Sequence, residues 1–174
     1  MGTPHSIPAL LAALLVATPA STPAQAPAST AGAIPVRSIG DAPRLAAEIG
    51  QGKPVVLHFW ATWCGACVAE FPRIRAELRK LDQRGVAVAL VSIDRPEDAA
   101  KVQEFLERFE LKGLRALILD APDPAPVARA VGDKRWDGTL PATFLFDARG
   151  KLVRGFIGLT NAAALDAAAR KLAR

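Results

Sequence analysis

The chain has very little cysteine, little histidine, and no charge at one end. Among 174 residues there are two cysteines, Cys64 and Cys67, and two histidines, His5 and His58. A tetrahedral metal site built on the cysteine pair needs two further ligands. Beyond residue 26 only His58 is on offer, with no third cysteine and no methionine. Covalent haem attachment requires a histidine directly after the second cysteine, where Val68 stands. The expectation is therefore no metal, no haem and no other cofactor.

Charge is missing from the first part of the chain, where the first Lys, Arg, Asp or Glu is Arg37. Elsewhere the net charge of +5 is spread out. Arg73, Arg75, Arg79, Lys80 and Arg84 stand among Glu77 and Asp82, with no basic run and no stripe of interleaved aromatics. Phosphate-backbone binding needs clustered cations, so no nucleic-acid partner is expected. A membrane-spanning helix takes about 20 apolar residues. The apolar segment Ile7 to Ala17 is shorter than that, is broken by Pro8, and is preceded by no Lys or Arg. It has the character of the core of a secretory signal peptide, with Ala24 and Ala26 offering an A-x-A cleavage pattern. These features predict a signal peptide at 1–26, a Pro/Ala-rich linker at 27–40 and one folded domain at 41–174, placed in the periplasm or otherwise exported.

Within the domain, apolar spacing alternates between two periods. A short helix is expected over 42–49. Lys53 to Trp60 and Val86 to Ile93 read as strands buried on both faces. Val68 to Arg84 has helical spacing, with Phe71, Ile74, Leu78 and Leu81 on one side, and Asp94 to Phe109 repeats the pattern. A third strand is expected at 114–119, a short helix or turn at 126–131, a hairpin of strands at 139–146 and 152–157, and a closing Ala-rich helix at 161–174. Alternating helices and buried strands imply an α/β fold with a central mixed sheet covered on both faces.

The two cysteines follow the first buried strand as Trp63-Cys64-Gly65-Ala66-Cys67. On the first turn of a helix, residues at i and i+3 have Cβ atoms about 5–6 Å apart, close enough to form a disulfide. The spacing permits reversible redox chemistry. It also permits a structural staple, although a bridge across two residues constrains little of the unfolded chain.

Three motifs, in this order, resemble one known family: Phe59-Trp60-Ala61-Thr62-Trp63-Cys64, Cys67-Val68-Ala69-Glu70-Phe71-Pro72 and Leu140-Pro141-Ala142-Thr143-Phe144. They are similar to the thioredoxin-like superfamily, and more narrowly to the TlpA/ResA-type periplasmic thiol-disulfide oxidoreductases. The resemblance implies a thioredoxin-like three-layer fold with an inserted helix-strand element at about 96–120. It implies a redox-active disulfide in which Cys64 attacks and Cys67 resolves. It also implies a cis Pro141 facing that disulfide, with Leu140 offering backbone to a bound polypeptide and Trp63 forming an apolar lip. Trp136 is a candidate border of the same groove, and Glu70 and Glu97 are candidate acids near it. The partners implied are protein disulfides or dithiols, such as those of apocytochrome c or copper-site proteins, and a membrane-bound electron donor. Oxidase or isomerase activity, and a redox-inert polypeptide-binding module, remain alternatives.

Two features depart from the family pattern. The usual N-terminal hairpin is not evident, and His58 stands where thioredoxins carry a buried Asp and this subfamily often an Asn. His58 is either a proton relay for Cys67, for which a reference pKa near 6.5 is suited, or a neutral hydrogen-bonded core residue.

Overall fold

The computed structural model describes residues 1–2, 33–121, 123 and 125–172. The signal peptide expected at 1–26 lies outside the described residues apart from its first two. Val55–Trp60 forms β2, a run of β-favouring residues buried along its whole length. Alternation sends Val56 and Trp60 to one side of the sheet, and Val55, Leu57 and Phe59 to the other. Both sides are covered, so a polar atom in the strand that lacks a partner is costly.

β2 lies inside a six-stranded sheet with β1 (Val36–Ser38), β3 (Ala87–Ser92), β4 (Arg115–Asp120), β5 (Ala142–Phe146) and β6 (Leu152–Ile157), in the order β1-β4-β3-β2-β5-β6. β1, β4, β3 and β2 run parallel, while β5 is antiparallel to β2 and β6 to β5. The β5–β6 register slips between Leu145 and Phe146.

On one side pack α2 (Gly65–Gln83), α3 (Ala99–Arg108) and α5 (Ala162–Arg170). Phe71, Ile74, Leu78 and Leu81 from α2 meet Val102, Phe105 and Leu106 from α3 and Leu165 from α5. On the other side lie α1 (Leu45–Gly50) and α4 (Ala125–Val131), burying Leu45, Ile49, Val127 and Val131 against Leu57 and Phe59. The result is the three-layer α/β fold expected, and the helix-strand element expected at about 96–120 is α3 with β4. Among the described residues no helix is long and apolar enough to cross a membrane.

Three local expectations are corrected. Val36–Ser38, assigned to the linker by composition, is a strand paired in parallel with β4. All three of its residues are exposed, so its pairing is carried by backbone groups and leaves no apolar signature. Residues 39–44, the first two of which also fell in the linker, form a 3-10 turn ahead of α1. Asp94, expected to open a helix, lies before the helical residues, because its carboxylate is committed elsewhere.

Candidate active site

β2 ends at Trp60 and α2 starts at Gly65, so the connection between them is short. Cys64 occupies the N-cap of α2 with extended backbone angles, and its Sγ accepts the Cys67 N–H at 3.1 Å. Its own N–H donates to Ala61 O at 3.2 Å. Cys64 and Cys67 are disulfide-bonded, with Cα atoms 5.2 Å apart. Cys64 retains 8 % exposure and Cys67 none, so an incoming group can reach only the first sulfur. Unpaired N–H groups and the dipole of a long helix converge at that sulfur and favour its anion once the bond is reduced.

A residue not foreseen from the sequence holds the connection in place. The Asp94 carboxylate, 2 % exposed, accepts the Thr62 N–H at 2.9 Å, the Thr62 hydroxyl at 2.6 Å and the Ser92 hydroxyl at 2.6 Å. Three donors on one buried carboxylate fix the turn that carries Trp63. Trp63 itself is 68 % exposed beside Cys64. The only sequence signal for Asp94 is an acid just past a buried strand. Glu97 is not brought into this arrangement; it pairs with Arg95 at the surface, 3.8 Å away.

Pro141 stands at the start of β5. The Phe59–Ala142 pairing places Leu140-Pro141 beside the end of β2, and the Leu140–Pro141 bond is cis. Leu140 packs on the same cluster as Cys64 and Cys67. Gly158 N–H donates to Pro141 O at 2.9 Å, which draws the segment after β6 alongside. Trp136 does not border the groove as expected. It is buried against Phe59 and Phe144, with ring centroids 4.9 and 4.8 Å away, and its indole N–H donates to Thr139 O at 2.7 Å. An aromatic ring with one donor is best placed with its body in the core and its N–H on a carbonyl. Here that carbonyl belongs to the residue preceding Leu140.

Between β2 and α2, His58 and Glu70 are 0 % and 1 % exposed. Nδ1 of His58 lies 2.9 Å from the Thr143 hydroxyl, which lies 2.7 Å from the Thr160 hydroxyl. Thr160 N–H donates to Glu70 Oε1. The remaining atoms of the pair, His58 Nε2 and Glu70 Oε2, face each other at 3.7 Å, and neither has a hydrogen-bond partner. Burial lowers the His58 pKa to about 3 and raises that of Glu70 above its ordinary range. Thr143 stands inside the Leu140–Phe144 motif with no role assigned to it, and Thr160 is an isolated threonine with no pattern around it, so neither reads as a site residue from the sequence.

The depressed His58 pKa has a consequence for stability. Between about pH 6.5 and 3 the unfolded chain binds a proton at this histidine and the folded chain does not. The His58 contribution to stability therefore rises with pH across that window and is lost as pH falls through it, while the raised Glu70 pKa acts with the opposite sign. His58→Asn is expected to flatten that acid loss in urea melts between pH 6.5 and 4. An equally steep loss in the variant would assign it to other groups.

A bonded cysteine pair capping a helix after a buried strand, beside a cis-proline strand in a mixed sheet, defines a thioredoxin-like protein. The chain belongs to the AhpC/TSA family, whose pattern matches residues 29–154. It is 33 % identical over 112 residues to the thiol-disulfide oxidoreductase ResA of Bacillus cereus, a match covering 62 % of this chain and 57 % of that one. The chain thus spans little more than half the length of that curated relative. Among solved structures it is similar to a thiol:disulfide interchange protein DsbE from Chlorobium tepidum, with TM-score 0.57, 25 % identity and coverage of 72 % and 83 % of the two chains. It is also similar to a thioredoxin-like protein from Porphyromonas gingivalis, with TM-score 0.53, 30 % identity and coverage of 70 % and 76 %.

Proposed function

We propose that the protein is an exported thiol-disulfide oxidoreductase that reduces disulfides in partner proteins through Cys64 and Cys67. The observation that carries this reading is the asymmetry of the pair, with Cys64 at the helix cap and reachable, and Cys67 one turn further in and fully buried. The Cys64 thiolate attacks one sulfur of a partner disulfide, and the partner's other sulfur leaves as a thiolate. Cys67 then attacks the Cys64 sulfur, the S–S bond of the mixed complex breaks, and the partner departs as a dithiol carrying both electrons. A membrane-bound dithiol donor restores the reduced pair. Trp63 and the Leu140-Pro141 backbone hold the partner polypeptide during the exchange. The apolar leader read at 1–26 supports export, and apocytochrome c or a copper-site protein supplies oxidised cysteines of the right kind in that compartment.

Cys67→Ser tests this directly. The variant retains the attacking sulfur and loses the resolving one, so it is expected to accumulate a mixed disulfide with its partner, visible on non-reducing gels and identifiable by mass spectrometry. If no adduct dependent on Cys64 forms with oxidised protein substrates, the proposed activity is wrong.

A further inference from the structure

Residues 133–139 lie in the connection from α4 to β5 and end one residue before Leu140. This loop is keyed to the sheet at two points. The Asp133 carboxylate lies against Gly155 of β6, where an added Cβ would collide with it and with the Phe144 ring. The Trp136 ring, 5 % exposed, packs on Phe59 of β2 and Phe144 of β5. Its backbone N–H donates to Asp133 O at 3.0 Å. Gly138, at φ 101°, takes a backbone angle that favours glycine, and the indole N–H meets Thr139 O, three residues on, at 2.7 Å.

Thr139 is held from both ends. Its carbonyl accepts from Trp136, and its N–H and hydroxyl donate to the Asp137 carboxylate at 2.9 and 2.6 Å. On the other side of Leu140, Pro141 has no N–H, and its carbonyl accepts from Gly158. Leu140 between them is different: among the described residues neither its N–H nor its carbonyl has a protein partner. Backbone groups require partners, so this pair is left for water or for a bound chain. The Thr139–Leu140 peptide is trans, and in a planar trans unit the C=O and the N–H point in opposite directions. A carbonyl drawn toward Trp136, on the Phe59 and Phe144 side of the sheet, therefore turns the Leu140 N–H away from that side.

We propose that Trp136, with Asp137, is a positioning residue for a polypeptide substrate: the two side chains fix Thr139 so that the Leu140 N–H and carbonyl are presented, already oriented, to an extended segment beside the Cys64–Cys67 pair. The inference rests on the thiol-disulfide reading above and goes beyond it by assigning what orients the docking edge. An extended chain brings a donor and an acceptor on each residue, the complement of the pair that Leu140 leaves open. A peptide group oriented before binding spares the complex the ordering cost that a loose loop would add. The indole is suited to this because its ring is anchored in the core while its one donor reaches the loop. No electron or proton passes through Trp136 or Asp137, so a disulfide without peptide groups does not need them.

The test compares two substrates of the full chain: insulin, and hydroxyethyl disulfide, which has no peptide group and is offered to the chain reduced beforehand. Trp136→Phe keeps an aromatic ring against Phe59 and Phe144 and removes the donor. It is expected to lower the insulin rate about 10-fold relative to the hydroxyethyl disulfide rate, the worth of about one hydrogen bond. In dithiothreitol-driven insulin turnover the loss should appear in KM, with kcat unchanged. Asp137→Ala, at an exposed position, releases the Thr139 N–H without touching the core and should lower the same ratio about three-fold; it decides the matter if Trp136→Phe does not fold. An equal loss with both disulfides would make the two residues merely structural and overturn the inference, as would an unchanged ratio in both variants. A wild-type chain that reacts with hydroxyethyl disulfide no faster than Cys64→Ser would instead overturn the oxidoreductase reading, and the positioning role with it.

Discussion

Cys64→Ser is expected to lower dithiothreitol-driven insulin reduction by at least about 10³-fold, to the uncatalysed rate, because a serine hydroxyl stays protonated at neutral pH and forms no disulfide. The fold should not change. Serine is a favoured N-cap residue, and its Oγ can accept the Cys67 N–H that Sγ now accepts at 3.1 Å. Cys67 cannot substitute as the attacking group, being wholly enclosed by α2 and the sheet. The variant therefore separates chemistry from architecture. Equal rates for the two chains would mean that the Leu140-Pro141 groove acts as a redox-inert binding module.

Phe71→Ala should be the most damaging single truncation near the site, costing about 3–5 kcal/mol, as buried aromatic deletions do. The Phe71 ring is fully buried and lies 5.1 Å from Trp60, 5.4 Å from Phe105 and 6.0 Å from Phe109. It also meets the His58 ring edge-on at 5.2 Å. The cavity left behind would open beside the imidazole, so the variant should lose thermal stability by about 10 °C. A loss below about 1 kcal/mol in a urea titration would show that the helix can collapse onto β2 without this ring.

Much of the fold was legible because its apolar spacings are unambiguous. Val55–Trp60 and Ala87–Ser92 are apolar runs with His58 and the terminal Ser92 as their polar members, and α2 repeats Phe71, Ile74, Leu78 and Leu81 at helical intervals. Those patterns arise from burial, and burial decides the structure there. β1 was illegible for the opposite reason, since an exposed strand three residues long is held by backbone pairing alone. The cysteines and Leu140-Pro141 could be placed because short motifs carried them. The roles of Asp94, Thr160 and, within its motif, Thr143 could not, because each matters through a partner distant in the sequence: Thr62 is 32 residues from Asp94, His58 is 85 from Thr143, and Glu70 is 90 from Thr160. Trp136 was misplaced because its proximity to Pro141 in sequence says nothing about which side of the sheet its ring enters.

The two outer strands bear on how such a protein survives contact with unfolded chains. An exposed sheet edge is a template on which any extended segment can pair, and long flat edges invite aggregation. Here β1 offers only three residues. β6 has a slipped register against Phe146 and carries the charged Arg154 opposite Leu145, both of which discourage strand addition. With both margins of the sheet blunted, an extended segment has little to zip onto except the short stretch beside Leu140, and under the proposed function the molecule would meet oxidised substrates without seeding their precipitation.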